Sequence, residues 1–123
     1  MRPCAGLLLM SLATVAPFCA NAHAQLDRAI PPVGSIVTTP PLEIRIFFTQ
    51  PVDPEKSGIE VMTYTDDRSV TTDRAIVDHT DTTQMALKLP PLADGKYRVN
   101  WHTFTTDGGD HALTGHYTFE VRR

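Results

Sequence analysis

The chain has 123 residues, which is enough for one ordinary domain and no more. Hydrophobic residues make up 41% and charged residues 20%, which is typical of a globular protein and excludes a disordered one. The net charge of −3 argues against a nucleic-acid-binding protein, which normally carries a basic patch. Ten prolines and seven glycines argue against a helical bundle.

The first 22 residues have the features of a secretory signal peptide. Arg2 supplies the positive charge, an apolar run extends from Ala5 to Ala16, and Ala20 and Ala22 form an A-x-A cleavage site. The apolar run is too short and interrupted for a good membrane span. We therefore predict a signal peptide at residues 1–22 and a mature domain at residues 23–123 that is exported from the cytoplasm.

Cleavage after Ala22 has three consequences for the mature chain. Both cysteines, Cys4 and Cys19, are removed, so the domain forms no disulfide and has no thiolate ligand. Removal of Arg2 changes the net charge from −3 to −4. His23 becomes the first residue, although a second A-x-A pattern at residues 22–24 allows a cut that would expose Gln25 instead.

The mature chain is predicted to be a small all-β sandwich or barrel, because short alternating segments are separated by Pro, Gly and Asp turns. Trp101 is expected in the core with Tyr97, Val99 and Thr103, and His102 on the opposite face. The segment from Asp107 to Gly115 is predicted to be a loop, with His116 beginning the last strand. The predicted strands are residues 42–48, 59–64, 85–89, 96–104 and 117–121.

Histidines are the strongest available transition-metal ligands in a chain whose mature part lacks cysteine. An N-terminal His23 offers two donors, its α-amine and its imidazole, to one metal ion. The alternative is that His23 only begins a frayed tail. His79, His102 and His116 are expected to be surface or edge residues. The five histidines are His23, His79, His102, His111 and His116.

A second group of potential ligands lies in the glycine-rich segment from Thr105 to His111. Asp107, Asp110 and His111 are separated by two glycines, which permit tight turns. Nitrogen and oxygen donors in a tetragonal arrangement suit Cu(II). Asp-Gly is also an ordinary turn signal, so a solvated hairpin loop is the alternative.

Several motifs in a fixed order resemble the CopC family of periplasmic copper-binding proteins. The predicted signal peptide ends just before His23, and the segment from Ala29 to Ser35 follows shortly after. The segment from Gly95 to Trp101 reads G-x-Y-x-V-x-W, and residues 105–121 are similar to the family's S-x-D-G-H-x-x-x-G-x-x-x-F-x-V ending. The resemblance covers essentially the whole mature chain.

The resemblance implies a Greek-key β-sandwich of seven or eight strands with an immunoglobulin-like appearance. It also implies one Cu(II) ion bound by the amine and imidazole of His23, by Asp107 and by His111. The family has one residue between the aspartate and the histidine, whereas this chain has three. Asp110 is therefore an alternative oxygen ligand. The chain lacks the methionine-rich Cu(I) loop of some members, which favours a single Cu(II) site.

The resemblance implies a non-enzymatic, monomeric periplasmic Cu(II) carrier or buffer in copper homeostasis and resistance. It further suggests delivery of copper to an inner-membrane transporter of the CopD type. Two other functions stay open at this point. One is a copper-dependent oxidative enzyme that uses an N-terminal histidine chelate, and the other is a metal-free protein-interaction module.

Overall fold

The computed structural model describes residues 24–106 and 112–123. Within these two ranges the chain forms eight strands and no helix, and therefore no helix that is long and apolar enough to cross a membrane. The strands are β1 (Leu26–Ile30), β2 (Ile36–Val37), β3 (Glu43–Phe48), β4 (Gly58–Thr63), β5 (Ile76–Val77), β6 (Gln84–Lys88), β7 (Gly95–Thr103) and β8 (Leu113–Val121).

The eight strands form two four-stranded sheets. The strand order is β1-β3-β6-β5 in the first sheet and β2-β8-β7-β4 in the second. β2 runs parallel to β8, and the other pairs are antiparallel. The chain repeatedly crosses from one sheet to the other, which separates β4 in sequence from its neighbour β7. The predicted all-β Greek-key sandwich is confirmed.

The core lies between the two sheets. Side chains along each strand alternate between its two faces, so every second side chain points into the core. Ile44 and Ile46 of β3 and Val99 of β7 are fully buried. Trp101 is buried as predicted. Its ring packs edge to face against the ring of Phe48 in the opposite sheet, with 5.3 Å between the ring centroids. These contacts lock the two long central strands against each other.

The last strand is longer than the sequence pattern predicted. β8 begins at Leu113, so the predicted loop up to Gly115 is wrong at its C-terminal end and His116 lies inside the strand. The segment from Leu113 to His116 carries few apolar side chains, which hid its strand character. It is held instead by pairing with β7, from Gly95 opposite Val121 to Thr103 opposite Leu113.

Three strands, β1, β2 and β5, do not appear among the predicted segments. They are 5, 2 and 2 residues long, and each lies at the edge of a sheet. In β1 only Ala29 is buried. Short edge strands bury too few side chains to produce a hydrophobic period, so only their pairing partners reveal them.

One aromatic side chain of β3 lies on the outer face of its sheet. The last three residues of the strand are all apolar, but the alternation continues through them and Phe47 is only half-buried. The guanidinium of Arg28 on β1 lies 3.6 Å from the centroid of its ring. A cation–π contact therefore covers this aromatic side chain on the outer face of the sheet.

Candidate metal centre

The predicted ligands His23, Asp107, Asp110 and His111 lie outside the described residues. Their neighbours in sequence are described, and these belong to one end of the sandwich. We call it the Thr103 end: the start of β1, the ends of β3 and β7, and the starts of β4, β6 and β8. The opposite end, where β7 begins and β8 finishes, is called the Tyr97 end.

Ala24, the residue after His23, is held in the interior of the Thr103 end. Its exposed fraction is 0%, and its carbonyl oxygen accepts a hydrogen bond from Thr103 Oγ1 at 3.4 Å. The same hydroxyl lies 3.5 Å from the carbonyl oxygen of Leu113, which is two residues after His111. One buried side chain therefore contacts the chain beside two of the predicted ligands.

Gln25 fixes the next peptide unit to the end of β3. Its amide donates to Thr49 Oγ1 at 3.0 Å, and its carbonyl accepts from the Thr49 amide at 2.8 Å. Both backbone groups of Gln25 are thus bonded to Thr49, the residue that directly follows β3. The chain is anchored two residues after His23.

The chain that leaves β7 is held on the other side of the same end. The Phe104 amide donates to Ser57 Oγ at 3.1 Å, and the Phe104 carbonyl accepts from the Asp53 amide at 2.7 Å. Thr105 then forms an antiparallel bridge with Val52. These contacts fix the backbone to within two residues of Asp107.

The described scaffold therefore brings together chain segments that are far apart in sequence. The hydrogen bond from Thr103 to Ala24 joins residues 79 positions apart. The candidate ligands were predictable from the sequence, but the supporting roles of three residues beside their neighbours were not: Thr103, Ser57 and Thr49. Thr103 had a recognisable signal, because a hydroxyl side chain stood at an inward position of an alternating strand.

The other three histidines lie away from these anchors. His102 and His116 are exposed on the outer face of the second sheet, and His79 is exposed in the connection before β6. The His102 imidazole covers Gly58, where a Cβ would lie only 2.8 Å from its Cε1 atom. The prediction that these are surface residues is confirmed. In residues 24–106 and 112–123 no group of three or more His, Cys, Asp or Glu side chains is placed to hold a metal ion.

A glycine and a tryptophan from two of the sequence motifs meet at this end. Trp101 and Gly115 are paired across β7 and β8, and the indole lies over the glycine. A Cβ at position 115 would overlap Cζ2 of the indole and lie 2.7 Å from Cε2. Glycine is required at position 115 because the tryptophan ring occupies the space of a side chain.

The electrostatics of the Thr103 end include one carboxylate whose ionised form is stabilised. The Asp81 oxygens accept hydrogen bonds from the Thr83 hydroxyl at 2.6 Å and from the Gln84 side-chain amide at 2.8 Å. The Thr83 bond, followed by the Gln84 bond, lowers the pKa of Asp81 below its ordinary value. Asp81 is therefore a hydrogen-bonded negative charge in the turn before β6.

Comparison with known proteins identifies the family. The CopC domain profile matches residues 26–122, from the first residue of β1 to just beyond β8. The chain belongs to the CopC family. It is 32% identical to the protein YobA of Escherichia coli K12, over 99% of this chain and 94% of that protein. It is 30% identical to copper resistance protein C of Escherichia coli, over 95% of this chain and 92% of that protein.

Solved structures of this family have the same fold. CopC from Methylosinus trichosporium OB3b superimposes with a TM-score of 0.73 at 28% identity, covering 80% of this chain and 93% of that one. PcoC, a methionine-rich copper resistance protein from Escherichia coli, gives a TM-score of 0.71 at 28% identity, covering 82% of this chain and all of PcoC.

Proposed function

We propose that this CopC-family chain is a non-enzymatic periplasmic protein that binds one Cu(II) ion through His23, His111 and an aspartate. The observation that carries the proposal is the convergence at the Thr103 end. Ala24, Thr105 and Leu113 are anchored there, and each lies within two residues of a proposed ligand. Amine, imidazole and carboxylate donors are a set that suits Cu(II) in tetragonal coordination.

The burial of Ala24 supports cleavage after Ala22, which makes His23 the N-terminal residue. Cleavage after Ala24 would remove a fully buried side chain and the hydrogen bond from Thr103. The fold would lose core contacts without any replacement from Gln25, which is exposed. The proposed chelate by the free amine and imidazole of His23 depends on the first cut.

Two features support a carrier or buffer over an oxidative enzyme. The aromatic side chains of the described Thr103 end, Phe48, Trp101 and Phe104, are buried or half-buried and form no flat exposed surface. A carboxylate ligand would also occupy coordination space that an oxygen-activating site needs to keep open. In the wider role we propose, the monomeric protein serves copper homeostasis and resistance, and hands Cu(II) to a CopD-type inner-membrane transporter.

The test is a Cu(II) titration of protein exported to a bacterial periplasm. Intact mass establishes the first residue, competition with a chromophoric chelator gives the dissociation constant, and electron paramagnetic resonance reports the ligand atoms. We expect an N-terminal His23, one equivalent of Cu(II), and a tetragonal spectrum rich in nitrogen coupling. His23→Ala and His111→Ala should each weaken binding by more than the roughly 10- to 100-fold that loss of a supporting outer-shell residue costs.

Matched controls are available because two other histidines are exposed outside the proposed site. His102→Ala and His116→Ala should bind Cu(II) like the wild type. Asp107→Asn and Asp110→Asn then identify the oxygen ligand, since only one of them should alter the spectrum. A chain that begins at Gln25, or undiminished Cu(II) binding in His23→Ala and His111→Ala, would overturn the proposal.

A further inference from the structure

We propose that Thr103 is the positioning residue that holds the N-terminal arm and the β7–β8 connection together, and so sets the Cu(II) affinity. This inference rests on the proposed function. It concerns a residue that is not itself one of the proposed ligands. Its hydroxyl contacts the backbone of Ala24 and of Leu113. Ala24 directly follows His23 in the sequence, and Leu113 is two residues after His111.

The Thr103 hydroxyl is a polar group buried among the apolar side chains of the core. The residue is 1% exposed, and it stands on the inward face of β7 in line with Trp101 and Val99. Burial of a hydroxyl without a hydrogen bond is costly, so such a group is retained only where a partner is present. Its partners here are the two carbonyl oxygens of Ala24 and Leu113.

The two distances indicate a shared hydrogen bond. A hydroxyl has one proton, and O–H···O bonds are normally about 2.7–2.8 Å long. The oxygen-to-oxygen distances of 3.4 Å and 3.5 Å are both longer and nearly equal, as expected when one donor is divided between two acceptors. Thr103 therefore contacts both segments with one proton, which is divided between their carbonyl oxygens.

The alternative supports of the two segments are unequal. Gln25 is bonded by its own backbone to Thr49, and Leu113 is paired with Thr103 at the last position of the β7–β8 ladder. Ala24, by contrast, is fully buried, and in the described structure its carbonyl oxygen is bonded by the side chain of Thr103. Loss of the hydroxyl should therefore free the chain at Ala24 first.

Copper affinity depends on this restraint because a flexible ligand loses conformational entropy when it binds. A scaffold that has already ordered Ala24 leaves less to be lost when His23 coordinates the metal. Thr103 thus acts on the metal through the backbone of the residue next to the ligand.

The experiment compares Thr103→Val, which keeps the shape and removes the hydroxyl, with Thr103→Ser, which keeps the hydroxyl. We expect Thr103→Val to bind Cu(II) roughly 10- to 100-fold more weakly, the range for loss of an outer-shell partner. Its electron paramagnetic resonance spectrum should contain more than one copper species. Thr103→Ser should restore both properties. In the metal-free protein, the Gln25 amide should exchange its hydrogen faster in Thr103→Val.

Thr71 offers a matched control, because it contacts β4 and not the N-terminal arm or the β7–β8 connection. Its hydroxyl accepts from the Val61 amide at 2.8 Å and donates to the Val61 carbonyl at 3.4 Å. Thr71→Val should lower the melting temperature while leaving Cu(II) affinity and the spectrum unchanged. This control separates positioning of the site from a general loss of stability. If valine at position 103 prevents folding, Thr103→Ala is measured in its place with the same expectation.

The outcomes distinguish the inference from the proposed function. If the wild type binds one Cu(II) and His23→Ala loses it, but Thr103→Val binds with wild-type affinity and spectrum, Thr103 is only structural and the inference is wrong. If the wild type itself does not bind Cu(II), or His23→Ala binds equally well, the proposed function fails and the inference falls with it.

Discussion

The Tyr97 end and the Thr103 end of the β7–β8 hairpin satisfy their polar groups in different ways. At the Tyr97 end, the Tyr97 hydroxyl donates to the Ala93 carbonyl at 2.7 Å. Arg123 donates from Nε to Asp94 at 2.7 Å and from Nη2 to the Leu92 carbonyl at 3.0 Å. These short bonds close the connection between β6 and β7 against the last residue of the chain.

At the Thr103 end the hydrogen bonds of the core side chains are longer or absent. The Thr103 hydroxyl is shared between two carbonyls, and the buried Trp101 Nε1 has no partner in the described structure. The core side chains of the Thr103 end are thus less fully bonded than Tyr97 is at the other end. Binding sites are often drawn from the less stable parts of a fold, because ligands then supply part of the missing stabilisation.

The largest expected effect is a loss of stability at the Thr103 end through Gly115→Ala. The new methyl group would overlap the Trp101 indole, and the indole cannot move freely because it packs against Phe48. We expect the free energy of unfolding to fall by about 3 kcal/mol or more. Urea unfolding followed by tryptophan fluorescence measures the change directly.

Gly58→Ala is the control for this substitution, on the neighbouring strand pair. Its methyl group would meet only the exposed imidazole of His102, which is able to swing into solvent. The cost should stay within about 1 kcal/mol. Equal losses in the two variants would show that the tryptophan does not require glycine at position 115.

A smaller effect distinguishes two buried tyrosines of the hairpin. Tyr97→Phe removes the bond to Ala93 and should cost about 1 kcal/mol of unfolding free energy. The Tyr117 hydroxyl is buried without a partner among the described residues, so Tyr117→Phe should be neutral or stabilising. Urea midpoints of the two variants give the comparison, and a loss in Tyr117→Phe as large as in Tyr97→Phe would contradict it.

The same pair predicts the response to alkaline pH. Burial raises the pKa of Tyr117 above the ordinary value of 10.0, and burial raises the pKa of Tyr97 as well. The unfolded chain releases these phenolic protons first, so stability is complete below pH 10 and is lost as the pH rises above it. Tyr117→Phe should retain more of its stability than the wild type at about pH 11.

The smallest expected effect concerns the ion pair at the Tyr97 end. The Arg123 side chain, then its backbone amide, lowers the pKa of Asp94 below the ordinary 3.8. The pair therefore contributes above that pH, and its contribution is lost as the pH falls below it. Asp94→Asn should have a slightly lower urea midpoint than the wild type at neutral pH. A difference that persists unchanged at about pH 2 would exclude the ion pair as its cause.

Much of the fold was predictable because its central strands have a strong period of two. β7 illustrates this, since Tyr97, Val99, Trp101 and Thr103 all face the core as the alternation indicated. The edge strands and the start of β8 were not predictable. Their residues are held by backbone pairing, and pairing leaves little trace in the choice of side chains.

The candidate site likewise has features that the sequence predicts and features that only the folded structure reveals. The ligand types and their order along the chain are properties of the sequence, and so is the predicted cut that makes His23 the first residue. Two of the residues that anchor the neighbouring chain, Ser57 and Thr49, were recognisable only in three dimensions. Ser57 and Thr49 are ordinary polar residues until their hydroxyls meet the amides of Phe104 and Gln25.

The sequence by itself determined the class of fold, the inward face of the central strands and the chemistry of the proposed ligands. Each of these depends on residue type and short-range spacing. Only the tertiary structure decided that Ala24 lies beside Thr103, 79 positions away in sequence, and that the same hydroxyl also contacts Leu113. Such a contact arises from the crossing of the chain between two sheets, and no local pattern of residues encodes it.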